Sequence, residues 1–390
     1  MFYIKSIFLL LILLSFIVLL PGTVKVLNWG YWTHFSQQAD SFLHGRLDIA
    51  RQMDTFEYKG KYYWHQQPFP SVILIPFKLF SKNFDQSNMQ FVLTIFLVIL
   101  LYKLTRIYNK PISDRLLLIS AFLFGSPVMG LILNPSSWYY AQLVTVTLMI
   151  GLILEIETKQ RSLVLGILLA CIIATRPSAS FIIIPVIYFL FKKFHERKFV
   201  NNLVMFLFPL GFTIFVLLFF NYVRFENIFF NAYASNEIGG YMPYFRSLGV
   251  FSFDHLPTNL YYYFLISVNA VTDKSGSHLV FPYITYSTWG ISLFLIAPFF
   301  LYAFKTLNSK YPEIRLYWIA IILNLTLLLL FFAPGWVQFG PRYTADFFPI
   351  LYLLVLKSLP SKLTFGQQST IILSCLFNIY LYTTAFIISS

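Results

Sequence analysis

The chain carries very little charge for its length. Of its 390 residues only 11% are Asp, Glu, Lys or Arg, whereas 58% are hydrophobic. A soluble domain of this size would need far more charge to cover its surface. The scarcity of charge therefore argues against an ordinary soluble enzyme and indicates a membrane protein.

A strict alternation of apolar and polar residues is also missing. Closed β-barrels, the other backbone that lipid tolerates, require that alternation in every strand. The apolar residues instead form long blocks, such as 7–20, 91–101 and 321–332. With their flanks, these blocks approach the roughly 20 residues of a helical span. The predicted fold class is an all-α polytopic membrane protein, one domain over residues 1–390 with about eleven transmembrane helices.

Cysteine is nearly absent, and the histidines are scattered. Cys171 and Cys375 both fall inside apolar blocks, which excludes a disulfide framework or a cysteine-based metal site. His65, His255 and His278 show no metal-ligand spacing and are interpreted as loop or interfacial residues. The sequence thus implies no cofactor firmly, and a divalent metal stays open.

Positive charge predominates, with 28 Lys and Arg against 15 Asp and Glu. Short cytoplasmic turns enriched in Lys and Arg explain this excess better than a nucleic-acid partner. We predict a bacterial cytoplasmic (inner) membrane protein whose N-terminus is cytoplasmic and whose C-terminus is extracytoplasmic. The predicted spans are 4–26, 89–105, 115–133, 139–155, 162–176, 179–192, 201–221, 285–305, 315–333, 346–358 and 368–388.

This topology leaves two long polar loops, 27–88 and 222–284, on the extracytoplasmic side, with a shorter one at 334–345. Residues 71–81 are apolar but too few for a span, and Pro76 and Lys78 interrupt them. They are predicted to form a juxtamembrane or re-entrant helix at the interface. Polar loops gathered on one side indicate that recognition or chemistry takes place there.

The first loop contains a candidate general base. If residues 33–44 are helical, Ser36, Asp40 and His44 share one face at intervals of four, and Asp48 follows. A carboxylate beside an imidazole is what general-base catalysis on a hydroxyl requires. The alternative interpretation is a solvated loop helix whose polar face meets water.

The same loop resembles a known family. The runs ADSFLHGRLDI and EYKGKYYWHQQPFPSVILIPF are similar to the first periplasmic loop of bacterial GT-C-type membrane glycosyltransferases, relatives of protein O-mannosyltransferases and lipid A aminoarabinose transferases. The resemblance implies a first loop that carries the catalytic acid, juxtamembrane helices and a helical bundle. Many relatives have an acidic pair just after the first helix, but here that stretch is YWTH, at 31–34. The acid is then Asp40 or Asp48, or the chain does not transfer sugars in this way.

Two arginines at predicted helix ends are candidate substrate-binding residues. Arg176, in ATRPSASF, lies at the outer end of the fifth span, where the resemblance implies contact with a lipid phosphate. The alternative is an arginine that snorkels to the interface. Arg224, in NYVRFEN, opens the second large loop, and its alternative is a surface pair with Glu226.

The run FGPRYTADF adds Arg342 and Tyr343 at the outer mouth of the bundle. A similar run occurs in the last outer loop of the family, and the planar fork of arginine suits phosphate. The alternative is a helix-entry salt bridge between Arg342 and Asp346, four residues later.

These features predict a sugar transferase at the extracytoplasmic face. Its partners would be a polyprenyl-phosphate-linked sugar donor, a lipid, glycan or protein acceptor, and membrane lipids, without nucleic acid. Direct displacement of the lipid phosphate would invert the anomeric centre. The alternatives are a transporter or flippase for a lipid-linked or amphiphilic substrate, and a scaffold without chemistry. A transporter would favour repeated halves and broken helices, which the sequence does not clearly show.

Overall fold

The structure, a computed structural model, describes residues 32–194, 196–232 and 242–384. The span predicted at 4–26 and the residues up to Tyr31 lie outside these ranges, as do both termini. The helices are α1 His34–Leu43, α2 Phe69–Val72, α3 Ile75–Phe80, α4 Gln86–Ile107, α5 Ile112–Leu123, α6 Val128–Leu133, α7 Ser137–Ile156, α8 Ser162–Ile173, α9 Ile183–Lys193, α10 Glu196–Phe225, α11 Met242–Ser247, α12 Leu256–Leu260, α13 Leu293–Ile296, α14 Pro312–Leu330, α15 Phe348–Ser358 and α16 Phe365–Thr383.

Shorter turns of other helix types link these elements. The 3₁₀ segments are Pro177–Ile182, Phe253–His255, Pro298–Thr306 and Arg342–Asp346, and a π-helical turn covers Tyr261–Leu265. Prolines at the first or second position explain two of these irregular starts, at Pro177 and Pro298, because proline fixes φ and cannot donate a backbone hydrogen bond.

Four helices within the described ranges are long and apolar enough to cross a membrane, which makes the chain a multi-pass membrane protein by length and composition. They are Gln86–Ile107, Ser137–Ile156, Lys198–Phe225 and Pro312–Leu330. The other predicted spans correspond to shorter or interrupted helices, so the count of eleven is not confirmed. The span predicted at 115–133, for example, is divided into α5 and α6.

Two corrections follow from the strands. The prediction of an all-α chain is wrong in detail, because two small antiparallel hairpins are present: β1 Thr55–Tyr58 with β2 Lys61–Trp64, and β3 Asn269–Thr272 with β4 Leu279–Thr285. The span predicted at 285–305 is also wrong at its start, since β4 ends at Thr285 and helix begins only at Leu293. Residues 286–292 instead form a turn that contains an isolated bridge between Ser287 and Gly290.

The first hairpin closes through Lys59 and Gly60, with φ of 49° and 75°. Positive φ at both central residues defines the type I′ turn, whose twist matches that of paired strands. The register places Thr55 opposite Trp64. The residues just outside the hairpin, Asp54 and His65, are therefore held side by side.

Most of residues 71–81 lie in the two short helices α2 and α3, so the helical conformation predicted there is present. Leu79 and Phe80 are 70% and 93% exposed, whereas Lys78 turns inward and pairs with Asp40 at 2.8 Å. An apolar outer face on a short helix beside the bundle is typical of a helix lying at the bilayer surface.

Helix α10 packs against α8 at very short range. A Cβ atom on Gly166 of α8 would lie 2.4 Å from the carbonyl oxygen of Phe206, so only glycine fits at this contact. Most of the remaining surface of α10 is exposed and apolar, as lipid contact requires. The last turn of α10 carries Arg224.

Candidate functional site

A cavity of about 510 Å³ lies where the long loop before α4 meets the ends of α8, α10 and α14. Its lining contains both polar and apolar side chains, which suits a ligand with a polar head and a hydrocarbon part. The polar lining residues include Gln66, Gln67, Thr175, Ser178, Ser180 and Asn221. The apolar lining residues include Phe181, Phe230, Phe251, Leu327, Leu328 and Phe331.

Three of the four predicted binding residues, Arg176, Arg224 and Tyr343, line this one cavity. Arg342 is immediately adjacent, because its guanidinium carbon lies 4.7 Å from the centre of the Tyr343 ring. The guanidinium carbon of Arg176 lies 5.4 Å from the same ring. Residues far apart in sequence therefore meet around Tyr343.

Arg176 is neutralised by a buried carboxylate. Its Nε and Nη2 donate to the two carboxylate oxygens of Asp346 at 2.6 and 3.0 Å, and Ser178 donates to the same group at 2.5 Å. The Asp346 side chain is fully buried. A bidentate pair of this kind fixes geometry as well as charge. Arg176 is thus held in a built network rather than snorkelling to the interface.

Arg342 has no such partner. It is 8% exposed, and its Nε and Nη1 form no hydrogen bond with any described residue. Its guanidinium contacts the rings of Tyr139 and Tyr343, and its Nη2 reaches only the Tyr343 hydroxyl at 3.5 Å. The expected alternative, a salt bridge to Asp346, is wrong because Arg176 holds that carboxylate. A buried guanidinium with two orphaned nitrogens is suited to bind an anion.

Arg224 is also buried, and the alternative surface pair with Glu226 is absent within the described residues. Its side chain donates to the carbonyl oxygens of Trp64 and Phe220 and to Oδ1 of Asn221, at 3.2, 3.4 and 2.9 Å. Glu226 instead pairs with Lys59 at 2.7 Å. A guanidinium has five N–H groups, so two of those on Arg224 remain for a ligand.

The carboxylate next to this site belongs to Asp54, which the sequence did not single out. Asp54 is partly buried, and burial raises the pKa of its carboxyl from 3.8 to about 6. The positive charges of Arg342 and Arg246 and a hydrogen bond from the Trp138 indole oppose this increase. A carboxylate whose pKa lies close to neutral pH is well matched to general-base catalysis.

The sequence candidates in α1 lie elsewhere. Asp40 is half-exposed and paired with Lys78, and His44 is exposed with its Nδ1 2.7 Å from the Asp40 carbonyl oxygen. Asp48 pairs with Arg46 at 3.2 Å. Among the described residues that line the cavity, none of these three is found.

Asp54 was missed because its burial depends on distant segments. A signal was nevertheless present in the sequence: TFEY-KG-KYYW is a hairpin pattern, and its register places Asp54 beside His65 at the open end. The proximity of Trp138 and Arg342 has no local signal.

A metal-binding cluster is not found in the part of the chain that the structure describes. Within those ranges no group of three or more His, Cys, Asp or Glu side chains is arranged to hold a metal ion.

No protein-family profile and no curated protein matches the chain. Two solved structures resemble it. ArnT from Cupriavidus metallidurans in the apo state is 11% identical, with a TM-score of 0.47 over 89% of this chain and 59% of that one. The oligosaccharyltransferase of Archaeoglobus fulgidus in the apo form is 12% identical, with a TM-score of 0.43 over 94% of this chain and 55% of that one.

The chain therefore spans less than two thirds of either protein's length. Both are GT-C-type membrane glycosyltransferases, the class to which the resemblance of the first loop pointed. At TM-scores below 0.5, neither likeness bears on the chemistry of the site.

Proposed function

We propose that the chain is a GT-C-type membrane glycosyltransferase that moves a sugar from a polyprenyl-phosphate-linked donor to an acceptor hydroxyl. In this proposal the reaction takes place at the extracytoplasmic face of the bacterial inner membrane, and the acceptor is a lipid, a glycan or a protein. The site supports this function through a carboxylate suited to act as a base, an arginine suited to bind an anion, and a cavity lined by both polar and apolar side chains.

The observation that carries the proposal is the pairing of two unusual groups. Arg342 has two buried nitrogens without a hydrogen-bond partner among the described residues, and Asp54 has a carboxyl pKa raised to about 6 by burial. A buried guanidinium with two donor nitrogens left without hydrogen bonds favours binding of an anionic group such as a phosphate. A desolvated carboxylate near it favours removal of a proton from a hydroxyl.

The proposed reaction is a single displacement. The Asp54 carboxylate accepts the proton of the acceptor hydroxyl while the acceptor oxygen attacks the anomeric carbon. The bond between that carbon and the phosphate oxygen breaks, and the lipid phosphate leaves with the electron pair. Arg342 stabilises the charge that develops on the leaving phosphate. Attack opposite the leaving group inverts the anomeric configuration.

The remaining predicted residues have binding roles in this proposal. Arg224 lines the cavity and has two N–H groups beyond its three hydrogen bonds, and the Tyr343 ring contacts both Arg176 and Arg342. Arg176 lines the cavity but adds no net charge to it, because Asp346 neutralises its guanidinium. Asp40, Asp48 and His44 stay as competing candidates for the acid–base role.

Release of lipid phosphate tests the proposal directly. The full chain in lipid nanodiscs is incubated with undecaprenyl phosphate carrying radiolabelled sugars, with a bacterial membrane extract as acceptor source. We expect release of undecaprenyl phosphate with at least one donor. Asp54→Asn should lower the initial rate by about 10²–10⁴-fold, as expected when a general base is lost.

The control is Asp273→Asn, an exposed aspartate in the second outer hairpin, which should behave as the unmodified chain. Loss of activity in Asp40→Asn or Asp48→Asn, with Asp54→Asn active, would move the base to α1 or to the segment after it. Movement of intact donor across the bilayer without cleavage would favour the transporter alternative instead.

A further inference from the structure

Two consecutive peptide carbonyls beside the site each receive a hydrogen bond from a different histidine. Nε2 of His34 lies 2.7 Å from the carbonyl oxygen of Met53, and Nδ1 of His65 lies 3.1 Å from that of Asp54. The two histidines are buried, and they come from separate elements, the start of α1 and the end of β2. The segment that carries Asp54 is therefore held from two sides.

Both imidazoles are neutral at physiological pH. Burial lowers the pKa of His34 to about 3 and that of His65 to about 4. A neutral imidazole has one N–H, and a carbonyl oxygen only accepts hydrogen bonds, so the tautomers are fixed as Nε2–H in His34 and Nδ1–H in His65. Each ring donates its single N–H to a backbone carbonyl oxygen, so that nitrogen does not act as a base.

His34 is itself rigidly held. Its ring is stacked on Trp64 with centroids 3.7 Å apart, and its Nδ1 lies 3.0 Å from Oγ of Ser137 at the start of α7. The hydrogen bonds from His34 and His65 to the two carbonyls are called the histidine clamp below. Through His34 and Ser137, this clamp connects the Asp54 segment to the long helix that also supplies Trp138. Contacts that fix the supporting residues in this way restrict where the clamped segment can move.

The clamped residue has an uncommon backbone conformation. Asp54 has φ of 62°, in the left-handed region that L-residues seldom adopt. Such conformations persist only where surrounding contacts hold the backbone in place, and they are concentrated at functional sites. The carboxyl faces Arg342 from the 3₁₀ segment, Arg246 from α11 and the Trp138 indole from α7, with His34 and His65 behind its peptide groups.

We propose that His34 and His65 are positioning residues, which hold the Asp54 carboxylate towards Arg342 through hydrogen bonds to the Met53 and Asp54 carbonyls. The catalytic meaning of this clamp rests on the function proposed above, but the clamp itself does not. Without either hydrogen bond, the turn relaxes and the carboxyl turns towards water.

Isosteric variants separate the hydrogen bond from the ring. Phenylalanine at either position keeps an aromatic ring but removes the donor. Gln at position 34 restores an N–H close to that of Nε2, and Asn at position 65 restores one close to that of Nδ1. The variants are His34→Phe, His34→Gln, His65→Phe and His65→Asn, with His278→Phe as an exposed control on the second hairpin.

The first readout is the protonation of Asp54, which needs no substrate. In infrared titrations of the protein in nanodiscs, the carboxylic acid band that Asp54→Asn abolishes should titrate near pH 6. In His34→Phe and His65→Phe the midpoint should move down by about one pH unit or more, towards the ordinary value of about 4 for aspartate. His34→Gln, His65→Asn and His278→Phe should keep the midpoint of the unmodified chain.

The second readout is turnover. In the two Phe variants we expect kcat to fall about 10²-fold while KM for the donor changes less than about threefold, because misplacement of a base affects the transition state. Unchanged midpoints in folded Phe variants, or the absence of a band near pH 6 that depends on Asp54, would overturn the clamp. Shifted midpoints together with full activity of Asp54→Asn would leave the clamp intact and refute the proposed function.

Discussion

The carboxylate of Asp346 is held by Arg176, 170 residues earlier, rather than by Arg342, four residues earlier. Both arginines lie against the ring of Tyr343. Asp346 forms its hydrogen bonds with Arg176, and Arg342 is left with the orphaned nitrogens. The site is therefore divided into a neutral, structural arginine and a charged arginine suited to a ligand.

This division predicts a stability effect for the buried pair. Asp346→Asn leaves Arg176 buried without its counter-charge, and breaking a buried pair costs about 3–5 kcal/mol of unfolding free energy. Thermal unfolding in detergent should show a clear decrease in midpoint. Asp273→Asn, at a half-exposed carboxylate whose hydrogen bonds stay within its own hairpin turn, should lower the midpoint much less. A stable Asp346→Asn protein would mean that the pair contributes little.

Arg342 should bind a lipid phosphate through its fork. Arg342→Lys keeps the charge but loses the planar pair of donors, so affinity for undecaprenyl phosphate should fall about tenfold, equivalent to roughly one charge-assisted hydrogen bond. Native mass spectrometry measures this affinity without turnover. Arg315→Lys, at an exposed arginine near the start of α14, is the matched control. Equal affinities in Arg342→Ala and the unmodified chain would remove Arg342 from the binding site.

Activity should rise with pH through about 6. Burial raises the pKa of the Asp54 carboxyl to about 6, so the base is mostly protonated at pH 5 and mostly ionised at pH 7. Below the midpoint, kcat/KM should fall about tenfold per pH unit. The residual activity of Asp54→Asn should lack this limb; a profile that keeps it would assign the titration to another group.

The same carboxyl should make the unfolding free energy decrease as the pH rises, whereas it makes the activity increase. Its pKa in the folded chain exceeds the value of about 4 in the unfolded chain, so the unfolded chain releases the proton first as the pH rises. The favourable contribution is complete below pH 4 and is lost as the pH increases through about 6. Measured from pH 4 to 7, the unfolding free energy should therefore decline less in Asp54→Asn than in the unmodified chain.

The predicted topology can be checked by labelling. Lysines at 61 and 274 are exposed in the two outer hairpins, and those at 103 and 310 lie in predicted cytoplasmic turns. Cysteines at 61 and 274 should react with an impermeant thiol reagent in intact cells, while those at 103 and 310 should not. Background from Cys171 and Cys375 is measured in the parent chain. Labelling of only one outer site would contradict the map.

Long helices were predictable from the sequence because a membrane span needs an uninterrupted apolar block. The span predicted at 139–155 is the helix Ser137–Ile156, and that at 89–105 is Gln86–Ile107. Interruptions by proline and strand were harder to foresee. Residues 279–284 are apolar and lead directly into the predicted span, and only their pairing with β3 shows that they form a strand.

The arginines of the site were predictable and its carboxylate was not. Arg176, Arg224 and Arg342 stood out because a guanidinium at the end of an apolar helix is costly unless it has a role. Asp54 lies in a polar loop, where a carboxylate has no evident cost. Its pKa is raised by burial, and that burial comes from tertiary packing that no local pattern contains.

The close contact between Gly166 and α10 sets the tilt of α10, and a small change of tilt there displaces the end of the helix that carries Arg224. Phe206, which touches it, lies 18 residues before Arg224, or about 27 Å along the helix axis. A tilt of about 5° at the contact would displace the Arg224 end by about 2 Å over that length. A single added methyl group at Gly166 would thus reshape the cavity from the far end of the helix, without touching any residue that lines it.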